Sequence, residues 1–316
     1  MLAIIIPYFK LKFFEATLRS LANQTDKRFK VYIGDDSSTE DCTDLLKNYL
    51  GKFEFKYYRF ESNLGGTSLT KQWERCIALS KDEEWLMLLG DDDVLGENVV
   101  EEFHRQYEKI ISSSNVVRFA TVFLNEKDGT ISHRYEHPKM EKGLEFFMRK
   151  LKNETRSSLS EYIFKKQVFL KYKFKDYPFG FYSDDRAWFD FSEDKFIYSI
   201  NESVVSIRLS YLNLSGNSDK VLSRKAEFLY LKYFYKNKMS YLSKSNKLYV
   251  LKKIESYFYF SKESSFKLWF PLYIHFWRNF DFYEIYKFHR RILFEIIRIQ
   301  TEKKKNMKKS FLLWFL

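Results

Sequence analysis

The sequence predicts an α/β fold in which a mostly parallel sheet is covered on both faces by helices, and three observations carry that expectation. Apolar runs of strand length, Leu2 to Ile6, Lys30 to Gly34, Phe53 to Phe60 and Trp85 to Leu89, alternate with stripes at helical spacing. Those stripes are Phe14, Leu18 and Leu21; then Leu45, Leu46, Tyr49 and Leu50; then Leu69, Trp73, Cys76 and Ile77. The connections are short, as alternating strand and helix units require. Two of the runs also end in acids, Asp35-Asp36-Ser37-Ser38 and Asp91-Asp92-Asp93, at the strand ends where open α/β sheets bind ligands.

Each element follows from local chemistry. Pro7-Tyr8 closes the first strand, and Asn63-Leu64-Gly65-Gly66 is a turn with backbone freedom. Val99, Val100, Phe103, Tyr107 and Ile110 make one further helix, and Val116 to Leu124 a strand that runs into the Asp128-Gly129 turn. Leu144 to Leu151 is a short helix and Ser158 to Phe164 a strand. The loop Tyr177 to Tyr182, which holds Pro178 and Gly180, delivers Ser183-Asp184-Asp185-Arg186, where Ser183 would cap a helix with both acids in its first turn. Val204 to Ile207 is a late strand.

Three adjacent acids cannot stay ionised in a closed core, so Asp91, Asp92 and Asp93 sit at a surface or meet a cation. Along an extended chain Asp91 and Asp93 point one way and Asp92 the other. Two oxygen ligands on one side suit Mg2+ or Mn2+, whereas a solvated acidic loop is the plain alternative.

Bulk composition narrows the classes. The 316 residues carry a formal charge of +12, and 20% are Phe, Trp or Tyr, which suits an anionic partner surface. Nucleic acid is disfavoured because the expected sheet edge is acidic in three places. Cys42 and Cys76 alone, with no CxxC, argue for a reducing compartment and against zinc. Met1 to Pro7 has no basic leader and is cut by proline, so the expected location is cytoplasmic. From about Ser223 the chain turns to Lys, Tyr and Phe. Ile285, Phe288, Ile292, Ile296 and Ile299 form an apolar stripe with Lys287, Arg291 and Arg298 off it; Lys303-Lys304-Lys305, Lys308-Lys309 and Phe311 to Leu316 follow. The plain reading is a packed helical appendage with a charged tail; the sharper one is a surface lying on an anionic membrane, peripheral on the inner face.

Taken in order, Ile4-Ile5-Ile6-Pro7-Tyr8, Ser20 to Thr25, Gly34-Asp35-Asp36-Ser37-Ser38, Asn63-Leu64-Gly65-Gly66, Asp91-Asp92-Asp93 and Asp184-Asp185 resemble the family 2 inverting glycosyltransferases of the GT-A fold. The resemblance implies a catalytic domain at 1–215, with a donor half to about 110 and an acceptor half from about 111, and a helical region at 216–316. It implies transfer of a sugar from a nucleotide-diphosphate donor to a hydroxyl of a glycan or lipid-linked acceptor, with Mn2+ or Mg2+ as cofactor. Asp93 and Asp91 would hold the metal, Asp91 would also serve the donor, and Asp92 would complete the donor site or be structural or solvated. Asp36, with Asp35 second, would accept from the base; Pro7 and Tyr8 would form the opposite wall. Lys71 would meet the diphosphate, although Leu69-Thr70-Lys71 departs from the usual Ala-Arg-Asn; Arg75 is left to solvent and Arg208 is a further phosphate contact. Asp185, or Asp184 beside it, would be the general base of a single displacement. Two alternatives compete. A phosphatase-like Asp-x-Asp nucleophile is disfavoured by Leu95 where Thr or Val is wanted, and a non-catalytic nucleotide-sugar-binding or peripheral membrane protein would keep the fold without the chemistry.

Overall fold

A computed structural model describes residues 1–211, 219–261 and 266–315 of the chain. They form two compact units, Met1–Glu227 and Phe228–Leu316. The expected boundary at residue 215 lies outside the described residues.

The first unit begins β1 (Leu2–Tyr8), α1 (Phe14–Ala22), β2 (Phe29–Asp35), α2 (Thr43–Lys47), β3 (Phe55–Arg59), α3 (Leu69–Ile77) and β4 (Trp85–Leu88). It continues with β5 (Val94–Leu95), α4 (Val99–Arg105), α5 (Tyr107–Ser113), β6 (Ser114–Asn125), β7 (Met140–Lys142) and α6 (Gly143–Leu151). It ends with β8 (Tyr162–Lys165), α7 (Lys166–Tyr172), α8 (Ser183–Ser192), β9 (Phe196–Leu209) and the start of α9 (Lys220–Asn237). Among the described residues the strands make one sheet in the order β3-β2-β1-β4-β8-β6-β9-β5, with β7 on β9. The first four are mutually parallel; β8 is antiparallel to both its neighbours. This is the mixed α/β architecture of a GT-A fold, helices on both faces.

Period-two alternation along β1 builds the core on both sides of the sheet. Leu2, Ile4 and Ile6 pack with Phe14, Leu18 and Leu21 of α1 on one face. Ala3 and Ile5 pack with Trp73, Cys76 and Ile77 of α3 on the other. Each isoleucine is fully buried, stabilising the fold by on the order of 1.5–3 kcal/mol. The parallel register then sets the functional edge: Tyr8 pairs with Asp35 and Ile5 with Leu88, so the ends of β1, β2 and β4 emerge side by side.

Several local expectations are corrected. The helix expected through Val99 to Ile110 breaks at Gln106, which is buried and turns its amide onto Glu102, Lys139 and Tyr198. Leu159–Glu161 opens the expected Ser158 to Phe164 strand as a 3-10 turn. Leu50 falls beyond α2 and is exposed. Ser183 does not cap α8: Tyr182 occupies the N-cap position, with φ 62° and no side-chain capping bond, and Ser183 Oγ accepts from the Tyr177 amide.

The second unit is helical: the rest of α9, then α10 (Lys244–Phe260), α11 (Phe266–Asn279) and α12 (Phe282–Phe315). Phe228 stacks on Tyr257 and Phe276 on Phe288, with ring centroids 4.3 and 4.1 Å apart. Arg291 grips buried Glu255 through two bonds of 2.8 Å. Ile285 and Phe288 of the expected stripe are buried and Ile292 is half-buried; the side chains of Ile296, Ile299 and the tail from Glu302 lie outside the described residues. No helix among the described residues is long and apolar enough to cross a membrane.

Candidate active site

A cavity of about 320 Å3 opens at the shared edge of β1, β2 and β4. Pro7, Tyr8, Phe9 and Lys10 form one wall; Asp36, Asn63, Gly65 and Gly66 a second; Leu69, Gln72 and Trp73 of α3 a third. Gly90, Asp91 and Leu159 close the end. The Tyr8 ring is buried against Phe14 and its hydroxyl donates to Glu40 O at 2.6 Å, so that side chain belongs to the core.

Strand-end acids shape these walls. Asp35 is fully buried and accepts from the Ser38 amide, Tyr57 hydroxyl and Arg59 guanidinium. Asp36 accepts the amides of Leu64 and Gly65 at 2.7 and 2.9 Å and pairs with Arg75. A Cβ on Gly65 would lie 2.5 Å from Asp36 Oδ2, so only glycine lets the carboxylate come that close. Arg75 therefore clamps this turn, with its guanidinium 3.9 Å over Phe60, where solvent exposure was expected. Lys71 lies on the exposed face of α3, outside the cavity lining.

The three acids after β4 occupy a turn, not an extended segment, since the Asp93 amide donates back to Gly90 O. Alternation consequently fails there and each carboxylate takes its own direction. Asp91 Oδ2 accepts the amides of Phe9 and Lys10 at 2.7 and 2.8 Å. Asp93 is buried: Oδ1 accepts the Arg208 amide at 2.9 Å and Oδ2 the Ser160 hydroxyl at 2.5 Å. Asp92 makes no side-chain hydrogen bond to another residue among those described; Lys10 and Arg208 act on it through charge, and Arg208 Nε donates to its backbone oxygen. Desolvation, then the charge of Asp92, pushes Asp91 and Asp93 up to about 7. Burial raises Asp92 too.

The other acid pair follows a strained loop. Phe179 and Tyr182 have φ of 53° and 62°, rare for bulky residues, and the α-carbon of Gly180 sits so near Leu69 and Trp73 that a Cβ would be 3.3 Å from each. The loop thus packs on the cavity wall, and Thr70 Oγ1 donates to Asp176 at 2.8 Å beside it. Asp185 is buried with Oδ2 3.5 Å from Lys150 Nζ, while its Oδ1 has no hydrogen-bond donor among the described residues. Asp184 is half-buried; desolvation, then Asp185, raises it to about 7 against the pull of Lys150 and the first amides of α8.

Of the residues expected in the site, Pro7, Tyr8, Asp36 and Asp91 line one cavity, while Asp92, Asp93 and Arg208 meet at the adjoining turn. Asp35 stands behind it, and Asp184 and Asp185 lie at the end of the packed loop. Sequence reading missed Trp73 as lining, because it shares the apolar stripe that packs α3, and missed Gln72, Ser160 and Lys150, which carry no motif.

The sequence model for Glycosyl transferase family 2 matches residues 3–178. The chain belongs to that family. It is a glycosyltransferase, and among solved structures this family 2 chain is similar to S. aureus TarS. The fold matches TarS 1-349 in complex with UDP-GlcNAc with a TM-score of 0.62 at 14% identity, over 86% of this chain and 79% of that one. It matches the UDP complex of TarS 1-349 at 0.58 and 14%, over 84% and 76%. It matches TarS of greater length at 0.57 and 15%, over 86% and 47%. No curated protein matches the sequence significantly.

The raised Asp184 gives a prediction for this glycosyltransferase. The native state holds that proton to about pH 7, whereas an unfolded chain loses it near 3.8. Native protein therefore binds more protons between those values and stability falls as pH rises through the window. Asp184→Asn should melt above wild type at pH 8, with the gap closing towards pH 4. A gap that widens on acidification, measured by thermal unfolding, would refute the assignment.

Proposed function

We propose that the protein transfers a sugar, with inversion, from a UDP-sugar to a hydroxyl of a glycan or lipid-linked acceptor, using Asp185 as general base. The observation that carries this reading is the buried Asp185 Oδ1, without a donor among the described residues, since a buried acceptor left unpaired is costly unless something fills it. An acceptor hydroxyl would donate to it. As that oxygen attacks the anomeric carbon, its proton passes to the carboxylate and the bond from that carbon to the diphosphate oxygen breaks. Asp184, which keeps its proton to about pH 7, is the alternate. The family and the UDP and UDP-GlcNAc bound by TarS support the donor class.

The cavity takes the nucleoside: the backbone of Pro7 to Lys10, the turn held by Asp36, and Trp73 with Gln72 are its walls. The acidic turn fits a divalent ion, but not as the alternation of an extended chain suggested. Both oxygens of Asp93 are committed to Ser160 and Arg208, so Asp92, with the second oxygen of Asp91, would hold the ion in place of Asp93. Mg2+ or Mn2+ would be held there by one or two carboxylates plus substrate phosphates; among the described residues no group of three or more His, Cys, Asp or Glu is arranged to hold a metal. When bound, the ion supplies neutralisation of the departing diphosphate. Lys10 and Arg208, whose charges already act on Asp92, flank the same place.

The second unit supports contact with an anionic membrane. On α12, Phe282, Tyr286, Leu293 and Ile297 are exposed at helical spacing, Phe282 at 83%, with exposed Arg290 and Arg298 among them.

A panel of UDP-sugars screened with Mn2+, starting with UDP-GlcNAc, should include one that raises the melting temperature and is turned over. Asp185→Asn should keep the shift and lose transfer; Asp92→Asn should lose its Mn2+-dependent part. Asp93→Ala should instead lower the melting temperature of ligand-free protein, the loss being roughly 1–3 kcal/mol for unpaired buried donors. Full transfer by both Asp184→Asn and Asp185→Asn would sink the base assignment, and binding without turnover would leave a non-catalytic receptor. For the membrane, wild type should sediment with phosphatidylglycerol vesicles and release at high salt, and Phe282→Ser with Tyr286→Ser should weaken it. Equal retention on neutral vesicles would contradict the reading.

A further inference from the structure

We infer that Lys150 is the positioning residue of Asp185, held at its station by a buried lattice of ion pairs behind the acid pair. The inference rests on the reading of Asp185 as the base and adds the residue that aims it.

Two constraints bring Lys150 of α6 to Asp185 of α8. The first is a backbone contact: a Cβ on Gly143, the first residue of α6, would lie 2.6 Å from Ser192 Oγ and 3.2 Å from Phe189, so glycine lets the start of α6 touch the end of α8. The second is charge. Arg149, next to Lys150, donates to Glu141 Oε1 at 2.8 Å, and fully buried Arg118 donates to Glu141 Oε2 at 2.8 Å and to Ser199 at 3.1 Å. Arg156 pairs with buried Glu161 at 2.8 Å. Breaking such pairs leaves an uncompensated buried charge, so they fix geometry firmly. His137 adds no charge: burial, then Arg118, Arg149 and Arg156, holds it down at about 2.

The two glutamates are thereby matched to arginines, and among the described residues Lys150 is the cation at ion-pair distance from Asp185, 3.5 Å from Oδ2. Its ammonium also lies 3.5 Å from Ser157 O. A lysine is a point charge and touches one oxygen, whereas an arginine fork could cover both. Oδ1 is left for the acceptor. The other titratable groups facing the carboxylate are Asp184 beside it, Tyr182 ahead of the helix and Tyr162 of β8. The two tyrosines are pushed upward by burial and stay neutral. Lys150 therefore holds one oxygen of Asp185 in place and draws Asp184 beside it downward.

The test compares wild type, Lys150→Met, Lys150→Arg and Asp185→Asn. The pH profile of UDP-sugar turnover is read for kcat and donor KM, and the 13C carboxyl titration of Asp184 is read without any donor. In Lys150→Met both the titration and the acid limb of kcat should move up by about one pH unit, a roughly tenfold loss on that limb, with donor KM unchanged within about twofold. Lys150→Arg, which keeps the charge but whose fork can also reach Oδ1, should leave the limb in place and lower the height of the kcat profile; Lys150→Gln substitutes if the Met variant fails to fold. An unmoved titration and limb in folded Lys150→Met would overturn the inference, as would a change in donor KM alone. Wild-type turnover by Asp185→Asn would instead overturn the base reading.

Discussion

The carboxylate of Asp93 ties together parts of the chain that are far apart in sequence. Its Oδ1 receives the Arg208 amide from the end of β9, its Oδ2 receives Ser160, and Ser160 in turn accepts the Gly90 amide at 2.9 Å. Thr17 of α1 donates to the Asp93 backbone oxygen at 2.8 Å. With the turn pinned at Gly90 and Asp93, Asp91 and Asp92 between them have little choice of direction. Asp91 is drawn to the amides after β1, and Asp92 is left facing Lys10 and Arg208.

The same division of labour recurs across the site. Asp35, Asp36 and Asp93 spend their oxygens on amides, hydroxyls and arginines, and so hold loops at the sheet edge. Among the described residues, Asp92 and Asp185 keep a carboxylate oxygen without a hydrogen-bond partner. An acid whose bonds are filled shapes a pocket, and one with an open oxygen can meet a substrate or an ion. That distinction separates chemically similar side chains more sharply than their burial does, since every acid of the turn is pushed upward by desolvation.

Much of the fold was legible because strand and helix periods coincide with burial: β1 alternates between two cores, and the acids of β2 and β4 fall at one edge as parallel register demands. The roles inside Asp91-Asp92-Asp93 were not legible. Sequence gives adjacency and local period, and the direction of each carboxylate depends on partners some 67 to 115 residues away. For the same reason Arg75 read as solvated although it closes on Asp36 across 39 positions. Lys150 was hidden because its meaning comes from the contact of two helices, set by Gly143, and no spacing in the chain announces it.

Diffraction at the manganese edge, from crystals grown with UDP and Mn2+, tests the central claim most directly. An anomalous peak is expected within coordination distance of the Asp92 carboxylate and the diphosphate, with Asp93 still bonded to Ser160 and the Arg208 amide. A peak on Asp93, with those two bonds broken, would contradict it.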